Sequence, residues 1–144
     1  MSSTLYDQDF FAWANEQAAL LRAGKLDQID VENIAEEIES MGRSEKNELV
    51  NRLAVLLMLL LKWRYQPSFQ SNGWRASIDE QRYQIRRYMT QNPSLKSQLH
   101  EAMTDAYGLA LIRADRETGL GRSTFPQQSP FTFDQAMDQD FWPD

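Results

Sequence analysis

Apolar residues recur at every third or fourth position through most of the chain, and this spacing predicts amphipathic helices. The five main helices predicted in this way cover residues 8–23, 30–41, 45–65, 74–91 and 93–118. The third helix is apolar on almost every side, because an unbroken apolar run extends from Leu53 to Leu61. A helix of this kind is normally the buried centre of a bundle. No segment shows the alternation of apolar and polar residues that predicts a strand.

Residues that cap or stop helices predict where these helices begin and end. Asp7 and Asp30 are predicted N-caps, since a carboxylate there accepts a hydrogen bond from a free backbone N–H. Gly24 and Gly42 are predicted to end the first and second helices, because glycine readily adopts the left-handed conformation that follows a last turn. Asn92-Pro93 is predicted to begin the fifth helix, with proline at its first position.

The last 25 residues combine helix-breaking residues with many aromatic side chains. The breakers are Gly121, Pro126, Pro130 and Pro143, and the aromatic residues are Phe125, Phe131, Phe133, Phe141 and Trp142. So many aromatic side chains predict a tail that is pinned across the helices and contains a short helix over 133–137, capped by Thr132. The predicted fold is all-α: residues 1–144 form a compact single-domain helical bundle of about five main helices with a pinned aromatic C-terminal tail.

Composition excludes several classes of protein. The chain has 144 residues and no cysteine, which excludes disulfides, thiol catalysis and zinc sites built on cysteine, and which suits a reducing cytoplasm. The start, from Met1 to Thr4, resembles neither a signal peptide nor a transit peptide. The longest apolar run, Leu53 to Leu61, has nine residues, far fewer than the roughly 20 that a membrane helix needs. We therefore predict a cytoplasmic protein without a membrane span.

Charged residues are unevenly distributed along a chain whose formal net charge is −6. Residues 1–48 hold 11 acids and 4 bases, residues 62–100 hold 7 bases and 2 acids, and residues 101–144 hold 8 acids and 3 bases. These segments are expected to neutralise one another when the chain folds. Because Glu37 borders the predicted core, a structural ion pair between Glu37 and Arg82 is one specific expectation.

The predicted second helix places an apolar stripe of Ile34, Ile38 and Met41 beside a row of carboxylates. Carboxylates on a bundle helix can hold metal ions, which makes Glu36 and Glu37 weak candidates for metal ligands. A carboxylate-metal enzyme centred on Glu36 and Glu37 is therefore one alternative. Paired acids on a helix are more often a solvated face or the partners of cations.

The chain lacks the combinations of residues that usually carry catalysis. Its one histidine, His100, has no second ligand or nucleophile at a suitable spacing. No serine stands in a Gly-x-Ser-x-Gly segment, and Gly119-Leu120-Gly121 lacks the lysine of a phosphate-binding loop. We assign no catalytic residue and no cofactor, and the residues favour a protein that is not an enzyme.

Cations and aromatic rings are interleaved between residues 62 and 87. The candidate binding residues of this segment are Lys62, Trp63, Arg64, Trp74, Arg75, Arg82 and Arg86. Cations contact phosphates and aromatic rings stack on bases, so the segment fits nucleic acid or another anionic ligand. The same side chains can instead pack against one another through cation–π contacts. Packing is favoured, because nearby acids are numerous enough to pair with the basic row.

Several short segments carry a resemblance to a known family. They are Tyr6-Asp7-Gln8-Asp9-Phe10 with Trp13, Leu20-Leu21-Arg22-Ala23-Gly24, Glu36-Glu37-Ile38-Glu39, Leu60-Leu61-Lys62-Trp63, Gln66-Pro67, Trp74-Arg75, Pro93-Ser94-Leu95, Glu117-Thr118-Gly119-Leu120, Phe125-Pro126 and Phe141-Trp142-Pro143. In this order the chain resembles, from Leu5 to Pro143, a bacterial family that is the twenty-ninth of the domain-of-unknown-function series. The resemblance implies a compact all-helical domain and no assigned activity. Similar sequences usually have His where this chain has Leu59, so a family site that used this His would be lost here.

The leading functional hypothesis is a small cytoplasmic binding or assembly module without catalytic activity. It rests on the 11% aromatic content and the four tryptophans, together with the missing catalytic residues. The expected partner is a second copy of the chain, forming a homo-oligomer, or an unknown protein, with the aromatic tail or the first helix at the interface. Nucleic acid is the alternative partner of segment 62–87 and is not favoured.

Overall fold

The computed structural model describes residues 2–144, with side chains from Leu5 onward. Its α-helices are α1 (Ser2–Gln8), α2 (Phe10–Arg22), α3 (Val31–Tyr65), α4 (Asn72–Gln91), α5 (Leu99–Thr118) and α6 (Phe133–Met137). Short 3₁₀ helices lie at Pro67–Phe69, Pro93–Gln98 and Arg122–Thr124. Residues 2–144 contain no strand, which confirms the all-α prediction. None of the described helices is long and apolar enough to cross a membrane.

The described residues form two compact units, the first ending at Ser44 and the second spanning Glu45–Asp144. The division falls inside α3. The first unit therefore contains α1, α2 and the beginning of α3, and the second contains the rest of α3 with α4, α5, α6 and the tail. The prediction of a single domain over residues 1–144 stays a prediction.

Helix α2 begins two residues later than the sequence predicts. Asp9, not Asp7, is its N-cap, and the Asp9 side chain accepts a hydrogen bond from the Ala12 N–H at 3.1 Å. Asp7 lies within α1, a short helix that the apolar spacing does not predict. The predicted stop is confirmed, because Gly24 has a φ of 72° and the Lys25 N–H donates to the Leu20 carbonyl at 3.0 Å.

Helix α3 is continuous where the sequence predicts two helices. Gly42 does not end the second one, and α3 runs through it for 35 residues. Gly42 is absent from the glycines with positive φ, so it keeps a helical backbone. A glycine inside a helix costs only about 1 kcal/mol, which flanking helix formers can offset. The start is as predicted, since the Asp30 carboxylate accepts a hydrogen bond from the Asn33 N–H at 3.3 Å.

The core of the second unit is built around the leucines of α3. Those with no exposed surface are Leu49, Leu53, Leu56, Leu57, Leu60 and Leu61. Ile78 and Ile85 of α4 join the same cluster. Helix α5 contributes the small residues Ala102, Ala106, Ala110 and Ala114, which recur every four positions. The prediction that the apolar third helix is the buried centre of the bundle is confirmed for this part of α3.

Proline 93 begins a 3₁₀ helix and not α5 itself, which starts at Leu99. The fixed φ of proline suits the first position of either kind of helix, so the sequence marks a start without specifying its type. The Asn92 side chain donates to the Tyr88 carbonyl at 3.1 Å and so does not cap the following segment. At the other end, Gly119 adopts a φ of 69° and terminates α5.

The aromatic tail is pinned to the core of the second unit, as predicted. Phe125 and Phe131 are buried in the core cluster, and Phe141 and Trp142 pack against it. The short helix α6 begins at a capping box, because Thr132 and Gln135 exchange hydrogen bonds between side chain and backbone. The tail is therefore part of the folded unit.

Candidate functional site

The structure brings the cations and rings of segment 62–87 together as a packed cluster. The Lys62 ammonium lies 5.2 Å from the centre of the Trp74 ring. The Arg75 guanidinium lies 5.3 Å from the Trp63 ring and 4.2 Å from the Trp142 ring. Trp63 also contacts the Trp142 ring directly, with their centres 4.9 Å apart. These rings already face cations of the same chain, which is the packing arrangement that the sequence favours.

Arg82 is the most deeply buried charged residue of this segment, with 1% of its surface exposed. Its Nε donates to the Ala136 carbonyl and its Nη2 donates to the Phe141 carbonyl, each at 2.7 Å. Burial lowers the pKa of the Arg82 guanidinium below its ordinary value, but arginine remains protonated in proteins. Arg82 therefore acts as a clamp that holds α6 and the C-terminal residues onto α4.

Glu36 and Glu37 each have a partner within the first unit. The Tyr6 hydroxyl donates to a Glu37 carboxylate oxygen, and this hydrogen bond raises the pKa of Tyr6 to about 12. Glu36 forms an ion pair with Arg43 at 2.9 Å. Since Glu37 and Arg82 belong to different units and each has other contacts, the Glu37–Arg82 pair stays a prediction.

The structure lends no support to a metal centre at Glu36 and Glu37. Within the part of the chain that the structure describes, no group of three or more His, Cys, Asp or Glu side chains is placed to hold a metal ion. The two carboxylates instead contact an arginine and a tyrosine. The metal hypothesis stays a prediction.

Acids do not neutralise the basic row by direct pairing. Lys62 is the one base between residues 62 and 100 that forms an ion pair with a residue among 5–144. Its ammonium lies 2.8 Å from the Glu117 carboxylate. Arg64 is exposed and lies 5.5 Å from the Tyr65 ring. Arg75 and Arg86 line an open cleft of about 500 Å³. The sequence-based expectation of pairing is therefore wrong for most of this row.

His100 lies on α5, where it lines a cavity, and Leu59 lies on α3. His100 is exposed near the start of α5. Leu59 is half-buried against the core of the second unit, although helical projection places it beside polar residues of α3. The position where similar sequences usually have His is thus used here for packing.

The sequence did not reveal an exposed apolar surface on the first unit. Large apolar side chains that are at least two-fifths exposed there are Phe10, Phe11, Leu21, Leu26, Val31, Ile38 and Met41. On α3, Val31, Ile34, Ile38 and Met41 form one line at spacings of three, four and three residues, here named the α3 stripe. Val31, Ile38 and Met41 are 62%, 58% and 62% exposed. Glu37 is predicted to border the core, whereas its neighbours in the stripe, Ile38 and Met41, are exposed.

One acidic residue, Glu37, borders the α3 stripe, and the other acids of this helical segment lie on its far side. The sequence up to Ser44 contains 9 acids and 3 bases, so the first unit carries the whole formal net charge of −6. Glu32, Glu36 and Glu39 line the other side of the same helical segment, and Glu37 lies next to Ile38 in sequence. The signal was visible in the sequence as an apolar stripe on an acidic helix, but its exposure was not.

A hydrogen-bond network fixes the start of α3 within the first unit. The Asp30 carboxylate accepts from the Asn33 side chain at 2.8 Å and from the buried Trp13 indole at 3.1 Å. The Asp30 N–H donates to the Gln17 side chain at 2.7 Å. The bond from Asn33, with a smaller contribution from Trp13, lowers the pKa of Asp30. This network positions the α3 stripe relative to α2.

Acidification is expected to weaken this network through Asp30. Because the folded pKa is lowered, the stabilisation by Asp30 is present above the unfolded pKa of about 3.9 and is lost as the pH falls through the folded pKa. Asp30→Asn keeps a capping oxygen but cannot titrate, so urea unfolding from about pH 6 to pH 2 should show a smaller acid-induced loss than in the parent. Asp27→Asn, at an exposed aspartate of the same loop, is the control. Equal acid-induced losses in parent and Asp30→Asn would contradict the assignment.

The described residues form an all-helical protein with an exposed apolar stripe on α3 and with exposed arginines between residues 62 and 87. Residues 5–142 match a family described as "Domain of unknown function DUF29", and the chain belongs to this family. The resemblance inferred from the sequence motifs is thereby confirmed. Neither the curated proteins nor the solved structures contain a match to the chain.

Proposed function

We propose that this protein is a non-catalytic binding and assembly module, and that the α3 stripe is its partner-binding surface. The observation that carries the proposal is the exposure of Val31, Ile38 and Met41 in one line on an acidic helix. Exposed apolar patches rimmed by polar residues commonly mark protein-binding sites. The lack of cysteine suits the cytoplasm, where we place this activity.

The partner that fits the stripe is an amphipathic helix of another protein with basic residues beside its apolar face. Spacings of three and four residues are those by which one helix packs along another. Glu37 beside the stripe and the net charge of −6 on the first unit attract lysine or arginine on the flanks of the partner helix. A second copy docked through the same face would bring together two units that each carry a charge of −6, which like-charge repulsion disfavours.

Nucleic acid is the less favoured partner, although the unpaired arginines Arg64, Arg75 and Arg86 keep it in consideration. Base stacking needs accessible ring faces. Trp63 and Trp74 already contact cations of the chain, and Trp63 is buried. The cleft beside Arg75 and Arg86 is also lined by Asp79 and Asp140, whose carboxylates oppose a phosphate.

A designed peptide tests the proposal. The probe is a helical peptide of leucine and lysine with leucine at heptad positions a and d, and its counterpart has glutamate in place of lysine. Calorimetric titration should show binding of the lysine peptide and none of the glutamate peptide. Ile38→Ser/Met41→Ser removes two apolar anchors without changing the charge, so affinity should fall roughly ten- to 100-fold.

The matched control is Ile112→Ser/Leu120→Ser, which removes two exposed apolar side chains from the second unit. It should bind the lysine peptide as the parent does. Equal affinity of parent and Ile38→Ser/Met41→Ser would show that the peptide recognises charge alone and would refute the stripe. Sedimentation that shows a parent dimer abolished by Ile38→Ser/Met41→Ser would name a second copy as the occupant and overturn the choice of partner.

A further inference from the structure

A second candidate site lies entirely within the second unit and is independent of the α3 stripe. A cavity of about 360 Å³ there is lined by Met89 of α4, Leu99 of α5 and Phe133 and Met137 of α6. Two cations, Arg86 and Lys96, complete its wall. Neither cation lies within ion-pair distance of a carboxylate among residues 5–144. The wall of the cavity is therefore mostly apolar and carries two positive charges.

A second cavity, of larger volume, lies between α5 and the tail. The second cavity has a volume of about 620 Å³ and shares Leu99 and Phe133 with the first. Its wall includes Met103, Tyr107 and Gly108 of α5, and Gly108 presents no side chain to it. Both volumes are in the range of small-molecule sites, roughly 300–1,000 Å³.

The chain contains 21 acidic residues, yet none of the described residues that line either cavity is acidic. The smaller cavity has a mostly apolar wall with two cations that form no ion pair among residues 5–144, and such a wall complements a ligand that has a hydrocarbon chain and an anionic head. A nucleotide fits less well, because it would bring polar sugar and base edges against methionine and phenylalanine.

We propose that the smaller cavity binds a single-chain amphipathic carboxylate, with the carboxylate at Arg86 and Lys96 and the hydrocarbon chain along Leu99 and Phe133. Arginine can hold a carboxylate through two parallel hydrogen bonds, and lysine adds a second positive charge. The hydrocarbon chain of the ligand would replace water on the exposed parts of Leu99, Phe133 and Met137. The site thus selects both for a negative head and for chain length.

Calorimetric titration of the full-length protein with octanoate, decanoate and dodecanoate, kept below micelle formation, tests the proposal. Each buried methylene contributes up to about fourfold in affinity, so two added carbons should tighten binding roughly tenfold. Decyltrimethylammonium has a cationic head and should not displace bound decanoate, because Arg86 and Lys96 repel it. Absence of saturable binding by dodecanoate, or displacement of decanoate by an equal concentration of decyltrimethylammonium, would overturn the proposal.

Charge reversal at Arg86 and Lys96 tests whether the carboxylate of the ligand binds there. Arg86→Glu/Lys96→Glu should weaken decanoate binding at least tenfold, because it replaces two attractive charges by two repulsive ones. Both residues are exposed, so folding should be unaffected. Arg64→Glu/Arg116→Glu changes the net charge equally at exposed positions outside both cavities and should bind as the parent does. Equal weakening in the two double variants would reduce the effect to net charge and refute the site.

Discussion

Arg82→Met is expected to lower the free energy of unfolding by about 3 kcal/mol, since it leaves the carbonyls of Ala136 and Phe141 without their donors. Each buried acceptor left unpaired costs about 1–3 kcal/mol, and removal of the buried charge returns only part of this cost. Loss of the clamp should also loosen the tail, so the tryptophan fluorescence, to which Trp142 contributes, should shift to longer wavelength. Urea unfolding followed by circular dichroism and by fluorescence measures both effects.

Arg86→Met is the matched control for this clamp. Arg86 lies one turn further along α4, is exposed and forms no ion pair among residues 5–144. The same substitution there should change stability by less than about 0.5 kcal/mol. Arg82→Lys should fall between, because one ammonium cannot reproduce the forked geometry that reaches two carbonyls. If Arg82→Met is as stable as the parent and its tryptophan fluorescence is unchanged, the tail is held by its aromatic side chains alone.

Leu57→Ala should lower the free energy of unfolding by about 3 kcal/mol, because it leaves a cavity in the core of the second unit. Leu57 has no exposed surface and belongs to the core cluster, whose close-packed side chains cannot fill the gap without moving. Chemical unfolding of purified parent and variant measures the difference.

Met41→Ala provides the comparison on the same helix. Met41 is 62% exposed, and alanine is the better helix former, so the free energy of unfolding should change by less than about 0.5 kcal/mol. The contrast between the two substitutions separates the part of α3 that holds the fold from the part that is free for a partner. A loss of 2 kcal/mol or more in Met41→Ala would mean that the α3 stripe is a core surface.

Much of the fold could be predicted because local rules and packing agree. The leucines between Leu49 and Leu61 leave no polar face, so their burial follows from the sequence. Thr132 and Gln135 have the spacing of a capping box, and Gly24 ends α2 in the left-handed conformation. Gly42 was misjudged because glycine permits a helix end without requiring one, and here the backbone stays helical.

The candidate site was less accessible to the sequence. Interleaved cations and rings predict contact between the two kinds of side chain, and Arg75 with Trp142 shows such a contact across 67 positions of sequence. No pattern reveals that Arg82 donates to two tail carbonyls, because backbone acceptors are the same at every residue. Periodicity likewise identified the line of Ile34, Ile38 and Met41 without showing whether anything covers it.

Methyl NMR of protein labelled at isoleucine and methionine, titrated with the leucine–lysine helical peptide, tests the central claim most directly. Ile38 and Met41 report on the α3 stripe. Met89 and Met137 report on the cavity proposed to bind a carboxylate, and Ile112 reports on an exposed position outside both sites. The signals of Ile38 and Met41 should shift in proportion to the bound fraction while the other three stay in place. Shifts confined to Met89 and Met137, or unchanged signals from Ile38 and Met41 at saturation, would contradict binding through the stripe.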